Sequence, residues 1–285
     1  MFPLAAAIAI PLGLDLYLPV PEENPLTAEK IEQGRRLFND RRLSRDQSVS
    51  CASCHGPERA FSDGRAVAEG VFGRKGRRNS PALVNRGYGR SFFWDGRVQT
   101  LEEQVLKPIQ DPNEMDLSLE EATSRVGLDA RSMSQALASF VRSLLSGDSP
   151  FDRFINGDRA ALSPEQQLGL QVFRGKGNCT ACHVGPNFSD ERLHNTGVAW
   201  RDGKLADTGA GRGDFKTPTL REVARTAPYM HDGSLATLED VVEFYDRGGN
   251  RNPGLDQELR ALHLTAEEKK AVVAFLRSLT GTPNR

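Results

Sequence analysis

Cys51-Ala-Ser-Cys54-His55 and Cys179-Thr-Ala-Cys182-His183 decide how the rest of the chain is read. A Cys-x-x-Cys pair followed at once by histidine is the attachment pattern of a c-type haem. Each thiol adds across a haem vinyl group, and the adjacent histidine is then held beneath the iron as its proximal ligand. A zinc knuckle, a redox dithiol and a pair of structural disulfides draw on the same residue types. The two motifs use all 4 cysteines of the chain, leaving none for another framework. The pattern therefore points to two covalently bound haems.

At 285 residues the chain has room for two domains of ordinary size. A net charge of -1, with no basic tail or low-complexity tract, gives no basis for a nucleic-acid partner. The longest apolar stretch, residues 2–12, is too short to span a bilayer. It has the character of a secretory apolar region, but no Lys or Arg precedes it and no clear cleavage site follows. Compartment is better argued from the cofactor. Bacterial c-type attachment is completed outside the cytoplasm, so a periplasmic protein is expected.

The halves around the two motifs can be laid over each other. Asn79-Ser-Pro81-Ala-Leu83 matches Lys216-Thr-Pro218-Thr-Leu220 at an offset of 137. The same offset relates Asp95-Gly96 to Asp232-Gly233 and Thr100-Leu-Glu102 to Thr237-Leu-Glu239. Gly34 and Phe38 find counterparts in Gly169 and Phe173, and Phe140-Val-Arg-Ser-Leu144 in Phe275-Leu-Arg-Ser-Leu279. Helix-start signals occur in both halves: Thr100 to Glu103, Ser118 to Glu121, Ser163 to Gln166 and Thr265 to Glu268 read as capping boxes. Gly281 is expected to cap the last helix. No long alternating strand pattern competes. The expected fold is all-α: two cytochrome c-like haem domains related by internal duplication, residues 22–148 and 149–285, with the seam near residues 147–151.

Haem chemistry is decided at the sixth iron position, where a ligand favours electron transfer and a vacancy admits a substrate. The offset of 137 sets Tyr245 opposite Pro108. Tyrosine can ligate ferric haem, whereas proline has no side-chain donor. Tyr245 is then either an axial ligand or a packed helix tyrosine with its hydroxyl at the surface. Gln104 replaces Val241 of the other half, and Glu114 follows in Asp111-Pro-Asn-Glu-Met115. A pocket carboxylate can move a peroxide proton while an amide orients the oxygens. The plainer reading of Glu114 is a solvated residue after a turn.

The sequence resembles the bacterial di-haem cytochrome c peroxidases, and within them the MauG-like branch. The resemblance runs from Asn24 to the last helix. It is carried by both CxxCH motifs, Arg78-Asn-Ser-Pro81, Phe93-Trp-Asp-Gly96, Pro112-Asn-Glu-Met115 and Ala227-Pro-Tyr-Met-His-Asp-Gly233. It implies a peroxidatic haem on His55 and an electron-transferring haem on His183. It also implies Trp94 as an electron relay between them, with Gln104 and Glu114 in the distal pocket. By the same likeness a calcium ion would take the Asn79 side chain and the carbonyls of Thr226 and Pro228, oxygens that suit a hard cation.

Ordinary members carry a histidine in the loop before Arg-Asn-Ser-Pro, which blocks the peroxidatic iron until the partner haem is reduced. Here the loop is Gly70-Val-Phe-Gly-Arg-Lys-Gly76, with Val71 at the place of that histidine. Ordinary members also cap the second haem with methionine. The MauG branch uses a tyrosine in a Tyr-Asp-Arg-Gly-Gly setting, as at Tyr245. MauG has a tryptophan two residues before its second CxxCH, where this chain has Gly177. Trp200 is then the other candidate for an electron exit, or a core residue. Met230 competes with Tyr245 for the iron, His231 matches Trp94 and reads as lying near the second haem, His194 as structural or near a propionate, and His263 as a surface residue.

The resemblance thus implies a di-haem peroxidase that reacts with hydrogen peroxide at the His55 haem and forms a high-valent state shared over both haems. The electrons would come from a partner protein residue or a redox donor. The alternatives are an ordinary peroxidase fed by a small cytochrome or copper protein, and a non-catalytic di-haem electron carrier.

Overall fold

The computed structural model describes residues 8–283, so part of the apolar stretch at residues 2–12 lies outside the described residues. The first half contributes helices α1 (Ala28–Phe38), α2 (Cys51–Cys54), α3 (Leu101–Gln104), α4 (Lys107–Gln110), α5 (Leu119–Val126) and α6 (Ala130–Ser143). The second contributes α7 (Pro150–Ile155), α8 (Pro164–Arg174), α9 (Leu238–Asp246) and α10 (Ala266–Arg277). Strands are two-residue pairs among the described residues: β1 (Ser146–Gly147) with β6 (Thr282–Pro283), β2 (Leu193–His194) with β5 (Phe215–Lys216), and β3 (Trp200–Arg201) with β4 (Lys204–Leu205). The fold is helix-rich. No described helix is long and apolar enough to cross a membrane.

Two helix pairs build two hydrophobic cores. Helix α1 packs on α6 because Gly34 has no side chain: a Cβ there would sit 1.9 Å from the Ala136 carbonyl oxygen. Helix α8 packs on α10 in the same manner, with Gly169 facing the Ala271 carbonyl at the same 1.9 Å. An aromatic trio fills the space beneath each crossing. In the first core Phe38 and Phe140 have ring centroids 5.0 Å apart, with Phe61 at 6.5 Å from Phe140. In the second, Phe173 and Phe275 lie 5.1 Å apart, with Phe188 at 6.4 Å from Phe275. Tilted and edge-on pairs of this kind add about 0.5–1.5 kcal/mol each beyond their buried area.

Helix starts follow the local chemistry. Ser163 with Gln166 and Thr265 with Glu268 form full reciprocal capping boxes. Thr237 with Asp240 forms a third. Thr100 and Ser118 cap one way only, accepting from the backbone N–H of Glu103 and Glu121. The expected C-cap at Gly281 is corrected: α10 ends at Arg277 with Ser278 as its C-cap, and the Gly281 N–H donates to Glu222 Oε1 at 2.6 Å. Buried Glu222 also accepts from Ser146 Oγ at 2.6 Å, so the end of the chain is pinned to β1 rather than to its own helix.

The halves are joined by ion pairs, one set buried and one partly buried. Arg86 donates two bonds to Glu191 at 2.8 and 3.1 Å. Arg78 spans Asp95 at 2.7 Å and Asp207 at 2.8 and 2.9 Å. Removing one member of such a set leaves an uncompensated buried charge.

Candidate active site

One cavity of about 630 Å³ runs through the molecule and is lined by both motif histidines. Its size falls within the range of cofactor pockets. Each histidine is oriented by one backbone carbonyl. His55 Nδ1 lies 2.7 Å from the Phe61 carbonyl and His183 Nδ1 lies 2.8 Å from that of Phe188. Burial lowers the basicity of both rings and so favours the neutral form, and the carbonyl contact takes Nδ1 as donor, leaving Nε2 to bind a metal. The carbonyls belong to the aromatic trios, which is how the core sets the ring orientation.

The alternatives for the cysteines fall away on this geometry. None of the four is paired with another in a disulfide. Burial pushes Cys51 and Cys179 up to about 12 and Cys54 to about 11. A redox dithiol needs the opposite shift. Among the described residues, one metal-compatible trio exists, Cys182, Asp190 and His194. His194 has no free nitrogen for an ion, because Nδ1 lies 2.5 Å from Asp256 and Nε2 lies 2.9 Å from Asp190. The donor set that remains, buried thiols beside a neutral histidine at a large cavity, fits a covalent haem at each motif.

The other named residues separate into two groups. Gln104, Pro108 and Glu114 line the cavity, and the charge of Glu114 acts on the thiols of Cys51 and Cys54. Glu114 is pushed up to about 7, first by burial and then by the charge of Asp111, with Arg97 opposing. Its backbone is clamped from behind: the Val71 N–H donates to the Glu114 carbonyl at 2.8 Å, and a Cβ on Gly70 would lie 2.2 Å from that oxygen. Val71 is fully buried in that packing and does not line the cavity. Tyr245 also lines the cavity, but beside the second motif. Burial raises its phenol well above the usual range, with Cys182 and Cys179 acting in the same direction. A phenolate there needs a positive charge to offset desolvation.

Trp94 lines the space shared by the halves. Its Nε1 donates to the Asn79 carbonyl at 2.8 Å, and its own carbonyl accepts from the Lys216 N–H at 2.7 Å. His231 is buried and stacked on Phe215 at 3.7 Å, while its carbonyl accepts from the Asn79 N–H. The Asn79 amide lies 3.5 Å from the Pro228 carbonyl, and Thr226 lines the same cavity. Met230 lines the cavity too. Trp200 sits on β3 and does not line the cavity, Gly177 does, and His263 is exposed. Sequence reasoning missed the cluster of Lys216, Arg86 and Glu191: Lys216 and Arg86 line the cavity, and Glu191 pairs with both. The one sequence signal was Lys216 standing where the repeat has Asn79.

Two histidine-and-thiol haem sites opening on one interior cavity define a di-haem c-type cytochrome. The comparisons with known proteins go further. The profile of the di-haem cytochrome c peroxidases matches residues 28–131. The methylamine utilization protein MauG of Methylorubrum extorquens is 39% identical, over 93% of this chain and 82% of that protein. The cytochrome-c peroxidase IdrP1 of Denitromonas iodatirespirans is 38% identical, over 95% of this chain and 87% of its own length. A crystal structure of a MauG-like protein associated with microbial copper homeostasis superposes with a TM-score of 0.84 at 34% identity, covering 94% of both chains. The chain belongs to the di-haem cytochrome c peroxidase family that includes MauG. It is an oxidoreductase that acts on hydrogen peroxide.

Proposed function

We propose that this protein is a MauG-type peroxidase in which the haem on His55 is open to hydrogen peroxide and the haem on His183 is capped by Tyr245. We read the chain as two cytochrome c-like domains, residues 22–148 and 149–285, related by duplication and working in the periplasm. The observation that carries the reading is the split of the cavity lining: Gln104, Pro108 and Glu114 beside the first motif, and Tyr245 beside the second.

A haem at each motif supplies an iron that can accept and store oxidising equivalents. The chain supplies the rest. Pro108 presents no donor, and Val71 is packed away in the core, so peroxide has access. Glu114, poised near neutrality, takes a proton from the near oxygen of hydrogen peroxide and returns it to the far one, which departs as water. Gln104 holds the oxygens in line. Tyr245 as phenolate compensates positive charge at the second site, favouring oxidised states there. Two electrons and two protons complete the conversion of peroxide to two waters. The electrons come from a residue of a partner protein or from a redox donor, relayed past Trp94.

A calcium ion would be held between the halves by the Asn79 side chain and the carbonyls of Thr226 and Pro228. The Asn79 Nδ2 is drawn 2.6 Å from the Arg65 carbonyl and 3.5 Å from that of Pro228. An amide turned over would present its oxygen to the same space, making the oxygen-rich cage this cation takes.

Stopped-flow mixing of the fully oxidised protein with peroxide tests the reading. A spectral change before any reductant is added is expected. No change until the protein is half-reduced would favour the ordinary peroxidase.

A further inference from the structure

Lys216 is a buried cation that the peroxide chemistry does not use. It is 8% exposed and lines the cavity. The nearest anion is Glu191 Oε2 at 3.6 Å, and that carboxylate is already held bidentately by Arg86. Two cations therefore share one anion in a buried cluster beside the cavity. Arg86 Nη2 also donates to the Ser91 carbonyl at 2.9 Å, which fixes the guanidinium on Glu191 and leaves Lys216 as the less tightly paired cation.

Burying an ammonium whose one carboxylate partner is shared with a second cation is costly. In the bare cavity that cost shows as a lowered basicity: burial brings Lys216 down to about 7, Arg86 pushes the same way, and Glu191 only partly offsets them. The cost vanishes if the cavity's occupant brings a second anion. A haem is apolar over most of its surface and carries two carboxylates, so its propionate edge is the part that needs such a partner.

We propose that Lys216 binds a propionate carboxylate of a haem held in this cavity, with Arg86 and Glu191 fixing the side chain beside it. The proposal rests on the haem-site reading above. Because the Lys216 N–H also bonds the Trp94 carbonyl at 2.7 Å, one residue ties the propionate to the segment carrying the relay candidate.

The test uses the holoprotein and the variants Lys216→Met, Lys216→Arg and Glu191→Gln. Resonance Raman reads the propionate bending bands, and spectroelectrochemistry reads the reduction equilibrium of each haem. Thioether bonds keep both haems in place, so the Soret band is retained. Lys216→Met should shift a propionate band and move one haem's equilibrium about tenfold toward the oxidised form, about 59 mV for one electron. Lys216→Arg should restore the band, and Glu191→Gln should move the same equilibrium the opposite way. If Lys216→Met does not accumulate, the Arg and Gln variants decide the matter by the same two readouts. Unchanged bands and equilibria in a haem-loaded variant, with only thermal stability altered, would overturn the proposal. A wild-type protein without any Soret band would instead overturn the haem-site reading beneath it.

Discussion

The two halves repeat one piece of engineering and differ in a handful of side chains. The glycine contact is 1.9 Å in both, the central phenylalanine pair is 5.0 and 5.1 Å apart, and the histidine-to-carbonyl contact is 2.7 and 2.8 Å. Even the loops before α3 and α9 agree: Phe93 and Met230, like Gly96 and Gly233, share positive φ. Against that constancy stand Pro108 where the other half has Tyr245, Gln104 where it has Val241, and Glu114 beside the first motif. Attachment and orientation of a haem need the whole core. In the proposed function, what each haem does is set by these few side chains.

The largest break in that comparison should come at Glu114. Glu114→Gln is expected to keep both resting spectra and slow the reaction with peroxide by about 10²–10⁴-fold, the range of a positioned acid–base group. Rapid-mixing rates at the His55 haem check this, and a wild-type rate would move the proton to Gln104 or an ordered water. Tyr245→His comes next. It should leave the peroxide rate within a few-fold while abolishing sharing of oxidising equivalents with the second haem, read by near-infrared absorption and Mössbauer spectroscopy. Sharing that survives would show that a phenolate is not what permits it.

A sharper test of sameness uses Gly34→Ala and Gly169→Ala. Each methyl must displace a helix carbonyl, so each should cost about 1–3 kcal/mol in denaturant unfolding. Equal losses support equivalent cores, and a negligible loss at either site breaks the analogy. The smallest effect concerns pH. A carboxyl whose folded pKa is raised costs the fold nothing below its unfolded value near 4.5. The penalty grows as pH rises and levels off above about 7. Glu114→Gln should therefore match the wild type in stability at pH 4 and exceed it at pH 8, by at most about 3 kcal/mol. A variant less stable at pH 8 would contradict the burial cost assigned to Glu114.

Much of this was legible because it is local or repeated. The CxxCH spacing names its own chemistry, and Ser163 and Thr265 announce their helices by hydrogen bonds three residues long. Tyr245 was singled out through register, since an unlike pair in a matched stretch is a signal, and the fold brings it to the cavity. Long-range burial was not legible. That Glu114 is enclosed, that Gly281 bonds Glu222 instead of capping α10, and that Lys216, Arg86 and Glu191 converge all depend on loops far apart in the chain. No periodicity encodes such meetings. Trp200 shows the converse: a conspicuous residue type that the fold leaves off the cavity.

The account stands on one haem being open and the other capped by Tyr245, and low-temperature electron paramagnetic resonance of the fully ferric holoprotein tests that directly. It predicts one high-spin and one low-spin signal in equal amounts, with only the low-spin signal altered in Tyr245→His. Two low-spin signals, or a low-spin signal indifferent to Tyr245→His, would contradict it.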